Sequence, residues 1–219
     1  LAFRLSLALW WFWVYRGHWE EGRARLTESL SQVQALGILD SRLHAVALLD
    51  LGMLDYEQGD YDTAEARLAE SARLAGEYGD RRTLCLALHY YGLSALYRSR
   101  YDEARALLQE SVAIARTLGH PWYLAVTIFA LAEAIWPGDP RAASALYQES
   151  AELFRSVGAS WGLALPLTSL GRQALETGRY EEARALFDEG LALRRAVDNT
   201  WWLAISLCSL GEVARCEGN

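Results

Sequence analysis

The chain has 219 residues, and 52% of them are hydrophobic, which is enough apolar material for a continuous core. Its 28 acidic residues outnumber 21 basic ones and give a formal charge of −7 at pH 7. This is the wrong sign for a surface that neutralises phosphates, so we expect no direct binding to nucleic acid. All the basic residues are arginine, which excludes a Schiff-base lysine and a lysine-containing phosphate-binding loop.

The first predicted element is a helix containing the apolar run from Leu5 to Tyr15. The run is too short to span a bilayer, which takes roughly 20 residues, so we expect no membrane span. Aromatic side chains cover most of the circumference of this helix: Trp10, Trp11, Phe12, Trp13 and Tyr15. A helix that is apolar all round is normally buried on more than one side. We therefore expect it to dock against a preceding domain of the same chain, and the isolated piece to self-associate through its ends.

From there the sequence repeats with a period of about 40 residues. One turn motif recurs at spacings of 42, 40, 39 and 40, with third residues Trp19, Tyr61, Tyr101, Pro140 and Tyr180. A second turn recurs at the same spacings, at Gly37, Gly79, Gly119, Gly158 and Asp198. Two turns per period imply two helices per period, and apolar residues recur at helical spacing between them. The sequence predicts one repeat domain over residues 1–219, with units of about 1–41, 42–81, 82–121, 122–160, 161–199 and a partial sixth, 200–219, excised from a longer protein.

Small residues mark where the two helices of each unit should cross closely. In the first helix they are Gly52, Gly92, Ala132, Gly171 and Gly211, and in the second they are Gly22, Ala64, Ala104, Ala143 and Ala183. We expect a larger residue at these positions to overpack the crossing. Pro166 falls about six residues into a predicted helix and predicts a kink or a lost hydrogen bond there.

The pattern Leu51-Gly52, Gly59-Asp60-Tyr61, Ala64, repeated as Leu170-Gly171, Gly178-Arg179-Tyr180, Ala183, resembles the tetratricopeptide repeat. The resemblance covers the whole chain and implies an all-α, right-handed superhelical solenoid of about eleven helices. Its period is about six residues longer than the usual 34, which should lengthen the helices.

A narrower resemblance lies at the start, in Leu9-Trp10-Trp11-Phe12-Trp13 and the segment from Arg16 to Arg23. It is similar to the first repeats behind the ATPase core of large bacterial signal-transduction ATPase regulators, including LuxR-type and antibiotic-regulator-type activators. The resemblance implies a cytoplasmic sensor or autoinhibitory region of a transcriptional regulator. A free-standing adaptor that scaffolds a protein complex stays open as the alternative.

No catalytic motif accompanies the repeats. The sequence has no Gly-x-Ser-x-Gly elbow, and its four histidines share no metal-ligand spacing. Its three cysteines form no Cys-x-x-Cys pair, which favours a reducing compartment and gives no indication of zinc. We expect a non-enzymatic binding domain without metal or cofactor.

In tetratricopeptide folds the first helix of each pair, helix A, lines a concave groove that holds a ligand. By position, this resemblance implies a groove for a protein, peptide or small-molecule inducer. Its candidate residues are Trp11, Tyr15, Leu49, Met53, Tyr56, His89, Leu93, Tyr97, Phe129, Glu133, Trp136, Arg172 and Glu212. The alternative is that these side chains pack against neighbouring helices.

Three of these candidates occupy equivalent positions in consecutive units, namely Glu133, Arg172 and Glu212. They predict an acid–base–acid ladder along the groove. Arg172 is then the natural partner for an acidic group on a ligand.

Overall fold

The computed structural model describes residues 7, 9, 12–13, 18–37, 39–195 and 200–216, with the side chains of 200–206 and 209 excepted. Ten α-helices can be bounded in this part of the chain, and no strand occurs there. The helices are α1 Trp19–Ala35, α2 Ser41–Glu57, α3 Tyr61–Tyr78, α4 Arg81–Tyr97, α5 Tyr101–Leu118, α6 Pro121–Ile135, α7 Pro140–Ser156, α8 Ser160–Glu176, α9 Tyr180–Arg195 and α10 Thr200–Cys216. They are ten of the eleven helices that the two turn series predict, and the eleventh, at the start, lies largely outside the described residues.

Short polar turns join the helices. Asp60 precedes α3 and accepts a hydrogen bond of 3.3 Å from the Thr63 backbone N–H. Gly79 ends the same helix in the left-handed conformation with φ of 71°, which only glycine adopts without strain. Asp80 then caps α4 by accepting a bond of 3.1 Å from the Thr83 N–H. Because each turn is so short, consecutive helices must run antiparallel and pack against each other.

Close helix crossings occur at the predicted glycines of α2, α4 and α8. A Cβ at Gly92 would lie 2.6 Å from Leu108 Cγ, and one at Gly171 would lie 2.6 Å from a ring carbon of Phe187. Gly52 faces Leu68 in the same way, at 2.7 Å. At Gly211, by contrast, an added Cβ meets nothing within 4 Å among the described residues.

A recurring side-chain hydrogen bond fixes the two helices of a pair to each other. Serine hydroxyls on the second helix donate to backbone carbonyls of the first, as Ser71 to Ala45 at 2.7 Å, Ser111 to Cys85 at 2.8 Å and Ser150 to Ala125 at 2.9 Å. Glycine replaces the serine at position 190, and there the Arg194 guanidinium reaches the Ala164 carbonyl at 3.3 Å instead. These bonds satisfy buried donors that would otherwise destabilise the fold.

The chain divides into two compact units, Leu1–Leu118 and Gly119–Asn219. In the first, Leu26, Leu51, Leu54 and Leu68 are fully buried between α1, α2 and α3. In the second, α6 to α10 enclose apolar clusters around the buried Phe154 and Phe187.

Two local predictions have definite outcomes. Helix α8 runs from Ser160 to Glu176 through the buried Pro166, and because proline has no backbone N–H, the predicted loss of one intrahelical hydrogen bond occurs there without ending the helix. In the aromatic first segment, Trp13 is buried against α1 and would collide with a Cβ at Gly22, whereas Phe12 is 49% exposed. Trp10, Trp11 and Tyr15 lie outside the described residues.

Candidate functional site

Four tyrosines of the first unit, Tyr56, Tyr61, Tyr90 and Tyr97, form a cluster of rings in contact, the tyrosine cluster. Helix α2 supplies Tyr56, α3 begins with Tyr61, and α4 supplies Tyr90 and Tyr97. The Tyr56 ring meets those of Tyr90 and Tyr97 edge-on, at centroid distances of 5.6 and 5.7 Å. Tyr61 stacks on Tyr97 at 5.4 Å. The cluster therefore joins three helices through ring geometries that aromatic pairs prefer.

The cluster is open to solvent on one side. Tyr97 is the last residue of α4. It is 65% exposed even though two rings contact it. Tyr56 and Tyr61 are half-buried. Burial, the Tyr97 hydroxyl and the nearby Glu57 carboxylate raise the pKa of Tyr61, in that order of importance. The Tyr61 hydroxyl consequently stays protonated, so this ring offers an aromatic face and a neutral hydrogen-bonding group.

Three predicted groove residues lie behind the cluster, within the core. Leu49, Met53 and His89 are only 4%, 5% and 7% exposed. Leu49 and Met53 pack in a cluster with Leu68. These positions therefore hold the helices together, which is the packing alternative considered from the sequence, and a ligand on the surface does not reach them. Leu93, which lies on α4 together with His89, is half-buried.

His89 is a buried polar group with an unusual environment. Its Nδ1 has no hydrogen-bond partner among the described residues. Its ring lies edge-on to Tyr90 at a centroid distance of 5.0 Å. Because burial disfavours the imidazolium, the pKa of His89 falls to about 4. The side chain is therefore neutral at physiological pH.

One carboxyl of α2 has a strongly shifted pKa. Burial raises the pKa of Asp50 to about 8, and the positive charge of Arg82 only partly opposes this. Asp50 also contributes to the raised pKa of Tyr90, after burial and Glu57. Asp50 and Glu57 thus lie on the α2 face that adjoins the tyrosine cluster.

In the second unit, the predicted Glu133 and Arg172 belong to one hydrogen-bonded group centred on the Glu133 carboxylate. Glu133 Oε1 accepts hydrogen bonds of 2.6 Å from both the Tyr147 hydroxyl and the Ser169 hydroxyl. Arg172 reaches the same oxygen at 3.5 Å. Phe129 and Trp136 flank Tyr147 at ring distances of 5.9 and 6.3 Å. Glu133 is therefore satisfied within the protein, and Arg172 already has an acidic partner.

The expected ladder is only half present. Among the described residues no ion pair joins Arg172 to Glu212, and Glu212 is exposed on α10. Two other predicted contacts, Trp11 and Tyr15, lie outside the described residues. The candidates therefore separate into an exposed aromatic group in the first unit and a hydrogen-bonded polar group in the second.

Sequence reasoning missed one buried ion pair. Asp55, at the end of α2, has no exposed surface and receives a 2.5 Å hydrogen bond from Arg67. Arg23 lies 3.6 Å from its other oxygen, which accepts no hydrogen bond in the described structure. These residues border a depression of about 610 Å³ that carries side chains of both charge signs.

Tyr90 and Tyr147 were also missed. Tyr147 lies on a helix B, which the groove assignment leaves out, yet its hydroxyl reaches Glu133 on helix A. Tyr90 directly follows the predicted His89 on α4, and the two rings meet edge-on at 5.0 Å. The clustering of tyrosines at the ends of α2 and α4 was the available signal.

Metal sites and membrane-spanning helices were both predicted to be absent, and the structure bears on them only where it describes the chain. The described residues include no group of three or more histidine, cysteine, aspartate or glutamate side chains placed to hold a metal ion. Likewise, none of the described helices is long and apolar enough to cross a bilayer.

Comparison with known families agrees with this helical arrangement. A tetratricopeptide-repeat family model matches residues 86–120 and 167–197. The chain contains tetratricopeptide repeats. A model for anaphase-promoting complex subunit 5 also matches, over residues 24–99. No curated protein matches the sequence.

Solved structures of two further proteins superpose over most of the chain. BtubC (BKLC) from P. vanneervenii is 19% identical, with a TM-score of 0.73 over 91% of this chain and 84% of that one. A putative kinesin light chain with nearly identical TPR-like repeats from Podosopora anserina is 20% identical, with a TM-score of 0.65 over 87% of this chain and 93% of that one. The all-α tetratricopeptide solenoid is therefore the fold of this chain.

A third similar structure is much longer than this chain. It is a signal transduction ATPase with numerous domains from Pyrococcus horikoshii, described as having a tetratricopeptide repeat sensor. It is 15% identical, with a TM-score of 0.73 over 94% of this chain. The tetratricopeptide chain described here spans 31% of that protein.

Proposed function

We propose that the chain is a non-enzymatic protein-binding region and that it contacts its ligand, a protein segment, through the tyrosine cluster. The observation that carries the proposal is the exposure of Tyr97, which presents 65% of its surface at the end of a helix A. Large aromatic side chains contribute much of the energy of protein interfaces when a partner covers them. The proposal retains Tyr56 and Tyr97 of the predicted groove and leaves Leu49, Met53 and His89 in a packing role.

We further propose that this binding region is the sensor of a larger signal-transduction ATPase. The similarity to a repeat sensor in such an ATPase supports this role, as does the sequence resemblance at the aromatic start of the chain. A free-standing adaptor is the second candidate. It is supported by BtubC, since the chain spans 84% of that whole structure.

Selection of peptides against the purified chain tests the binding role. Tyr97→Ala should weaken the selected peptides by at least ~1 kcal/mol, because it removes an aromatic anchor. Tyr78→Ala is the matched control, since Tyr78 is also the last residue of its helix and is 43% exposed, but lies on a helix B. Selected peptides that bind the two variants equally well would contradict the assignment of the site.

The sensor and adaptor roles differ in what surrounds this segment in its gene. A neighbouring phosphate-binding loop would allow a direct test, in which selected peptides are added to the full protein and ATP hydrolysis is measured. The sensor role requires hydrolysis to change with the peptide, and Tyr97→Ala to remove that response. Absence of any nucleotide-binding domain from the full protein would favour the adaptor.

A further inference from the structure

The tyrosine cluster leaves most of the Tyr97 side chain open to solvent. Tyr61 stacks on one face of Tyr97, with the ring planes inclined by 19°, and Tyr56 meets it edge-on. Tyr97 nevertheless stays 65% exposed. The electron-rich face of a tyrosine attracts cations that approach within about 6 Å of the ring centre.

A carboxylate without a cationic partner lies beside these rings. Glu57 contributes to the raised pKa values of Tyr56, Tyr61 and Tyr90, so its negative charge is close to all three hydroxyls. The Glu57 residue is exposed, and partial burial of its carboxyl raises the pKa of that group. No arginine pairs with it anywhere in the described part of the chain.

The arginines that follow Tyr97 at the C-terminal end of α4 already pair with carboxylates. Arg98 pairs with Asp62 and with Glu65, which it approaches to 3.7 Å. Arg100 pairs with Glu65 and, at 2.7 Å, with Glu103. Residues 42–81 together hold nine acidic residues and four arginines. The segment that contains Tyr56, Glu57 and Tyr61 is therefore acidic. In the described structure both Arg98 and Arg100 pair with other carboxylates and not with Glu57.

We infer that the tyrosine cluster and Glu57 form a binding site for a cationic side chain, arginine or lysine, on a bound peptide. The inference rests on the proposed function, since it names the chemistry of the ligand segment. The cation would lie against the exposed ring of Tyr97 and pair with the Glu57 carboxylate. Aromatic attraction and charge complementarity act together here because Glu57 ends α2, Tyr97 ends α4, and the ring of Tyr56, next to Glu57, lies 5.7 Å from that of Tyr97.

Three labelled peptide pools provide the test, each random except for one central residue, which is arginine, glutamine or glutamate. Their affinities for the 219-residue chain are measured by fluorescence anisotropy. We expect the arginine pool to bind at least about threefold more tightly than the glutamine pool, and the glutamate pool most weakly. A fourth pool with central lysine should follow arginine.

Two variants identify the site. Glu57→Gln and Tyr97→Ser should each remove most of the preference for arginine. Glu176→Gln is the matched control because Glu176 precedes Tyr180 by four residues, as Glu57 precedes Tyr61, and is also exposed but lies in the second unit. It changes the net charge equally, so a preference caused only by overall charge would respond to both glutamine variants alike.

The outcomes separate this inference from the proposed function. Pools that bind in a Tyr97-dependent way but with equal affinity for arginine and glutamine would overturn only the cationic ligand. A preference for arginine that survives Glu57→Gln would do the same. If no pool binds, or if binding ignores Tyr97, the proposed peptide-binding function fails as well.

Discussion

Arg67 donates a 2.5 Å hydrogen bond to the carboxylate of Asp55, whose side chain has no exposed surface. Burial raises the pKa of Asp55 even with this guanidinium beside it. A buried carboxylate that loses its partner is strongly destabilising, because its charge is no longer compensated. Arg67 is therefore important at the junction of α2 and α3 mainly because its removal would leave the Asp55 carboxylate buried without its closest cation.

Arg67→Met should lower the free energy of unfolding by about 3 kcal/mol at pH 8, since it leaves Asp55 buried without its closest cation. Arg98→Met should cost less than about 1 kcal/mol, because its partner Asp62 is 84% exposed. Urea unfolding measures both. The loss in Arg67→Met should shrink as the pH falls, because the folded state of this variant takes up a proton on Asp55 more readily than the unfolded chain does. A loss that does not depend on pH would contradict this account.

Gly92→Ala should destabilise the first unit. The new Cβ would lie 2.6 Å from Leu108 Cγ, and overpacking of this kind costs about 1–3 kcal/mol. Gly76→Ala is the control, because a Cβ there meets nothing within 4 Å, and it should instead gain about 0.5–1 kcal/mol from its lower unfolded-state entropy. Thermal unfolding of both single variants, of Leu108→Ala and of the double variant Gly92→Ala/Leu108→Ala tests whether the clash with Leu108 is the cause. Leu108→Ala should lower the stability less in the Gly92→Ala background than in the original chain.

His89 should make the protein less stable in mild acid. The unfolded chain binds a proton at this histidine below about pH 6.5, whereas the folded chain binds it only near pH 4. Stability is therefore lost as the pH falls through this window, by up to about 3 kcal/mol. His89→Leu should flatten the dependence between these two values, and denaturant unfolding at several pH values measures it. An NMR titration showing that folded His89 protonates near pH 6.5 would refute the prediction.

Tyr147→Phe should destabilise the second unit by about 1.5–3 kcal/mol, because it removes a hydrogen bond to a charged group. The lost bond is the 2.6 Å contact with Glu133. A double-mutant cycle with Glu133→Gln isolates the pair, and calorimetry gives the stabilities. Independent, additive effects of the two substitutions would show that the hydroxyl and the carboxylate do not interact in solution.

The helical architecture was predictable because its determinants are local and repeated. Glycines recur at a fixed spacing, and Gly37, Gly79, Gly119 and Gly158 all take the left-handed conformation between one helix and the next. Asp60 and Asp139, at equivalent positions of the other turn, each cap the helix that follows. The close crossings were equally visible, since Gly52 and Gly92 stand where neighbouring side chains leave no room for a Cβ. Predicting these features requires no knowledge of how one pair of helices packs on the next.

The candidate site was harder to predict because helix A is largely apolar on every side. Periodicity alone does not tell which stripe of α2 is covered by α4, so Met53 and Tyr56 looked equivalent. The packing of one pair on the next buries Met53 to 5% and leaves Tyr97 65% exposed. Asp55 and Glu57 present the same difficulty, since one is a buried ion-pair partner and the other an unpaired carboxylate only two residues away.

The serine hydrogen bonds between paired helices have a consequence for how such an array can change over time. Ser71, Ser111 and Ser150 all bond to main-chain oxygens, and every residue type supplies the same main-chain oxygen. Alignment of the two helices therefore places no demand on the identity of the acceptor residue, which is alanine in two pairs and cysteine in the third. Substitutions can accumulate along the first helix of a pair, altering what the surface recognises, while the hairpin keeps its register.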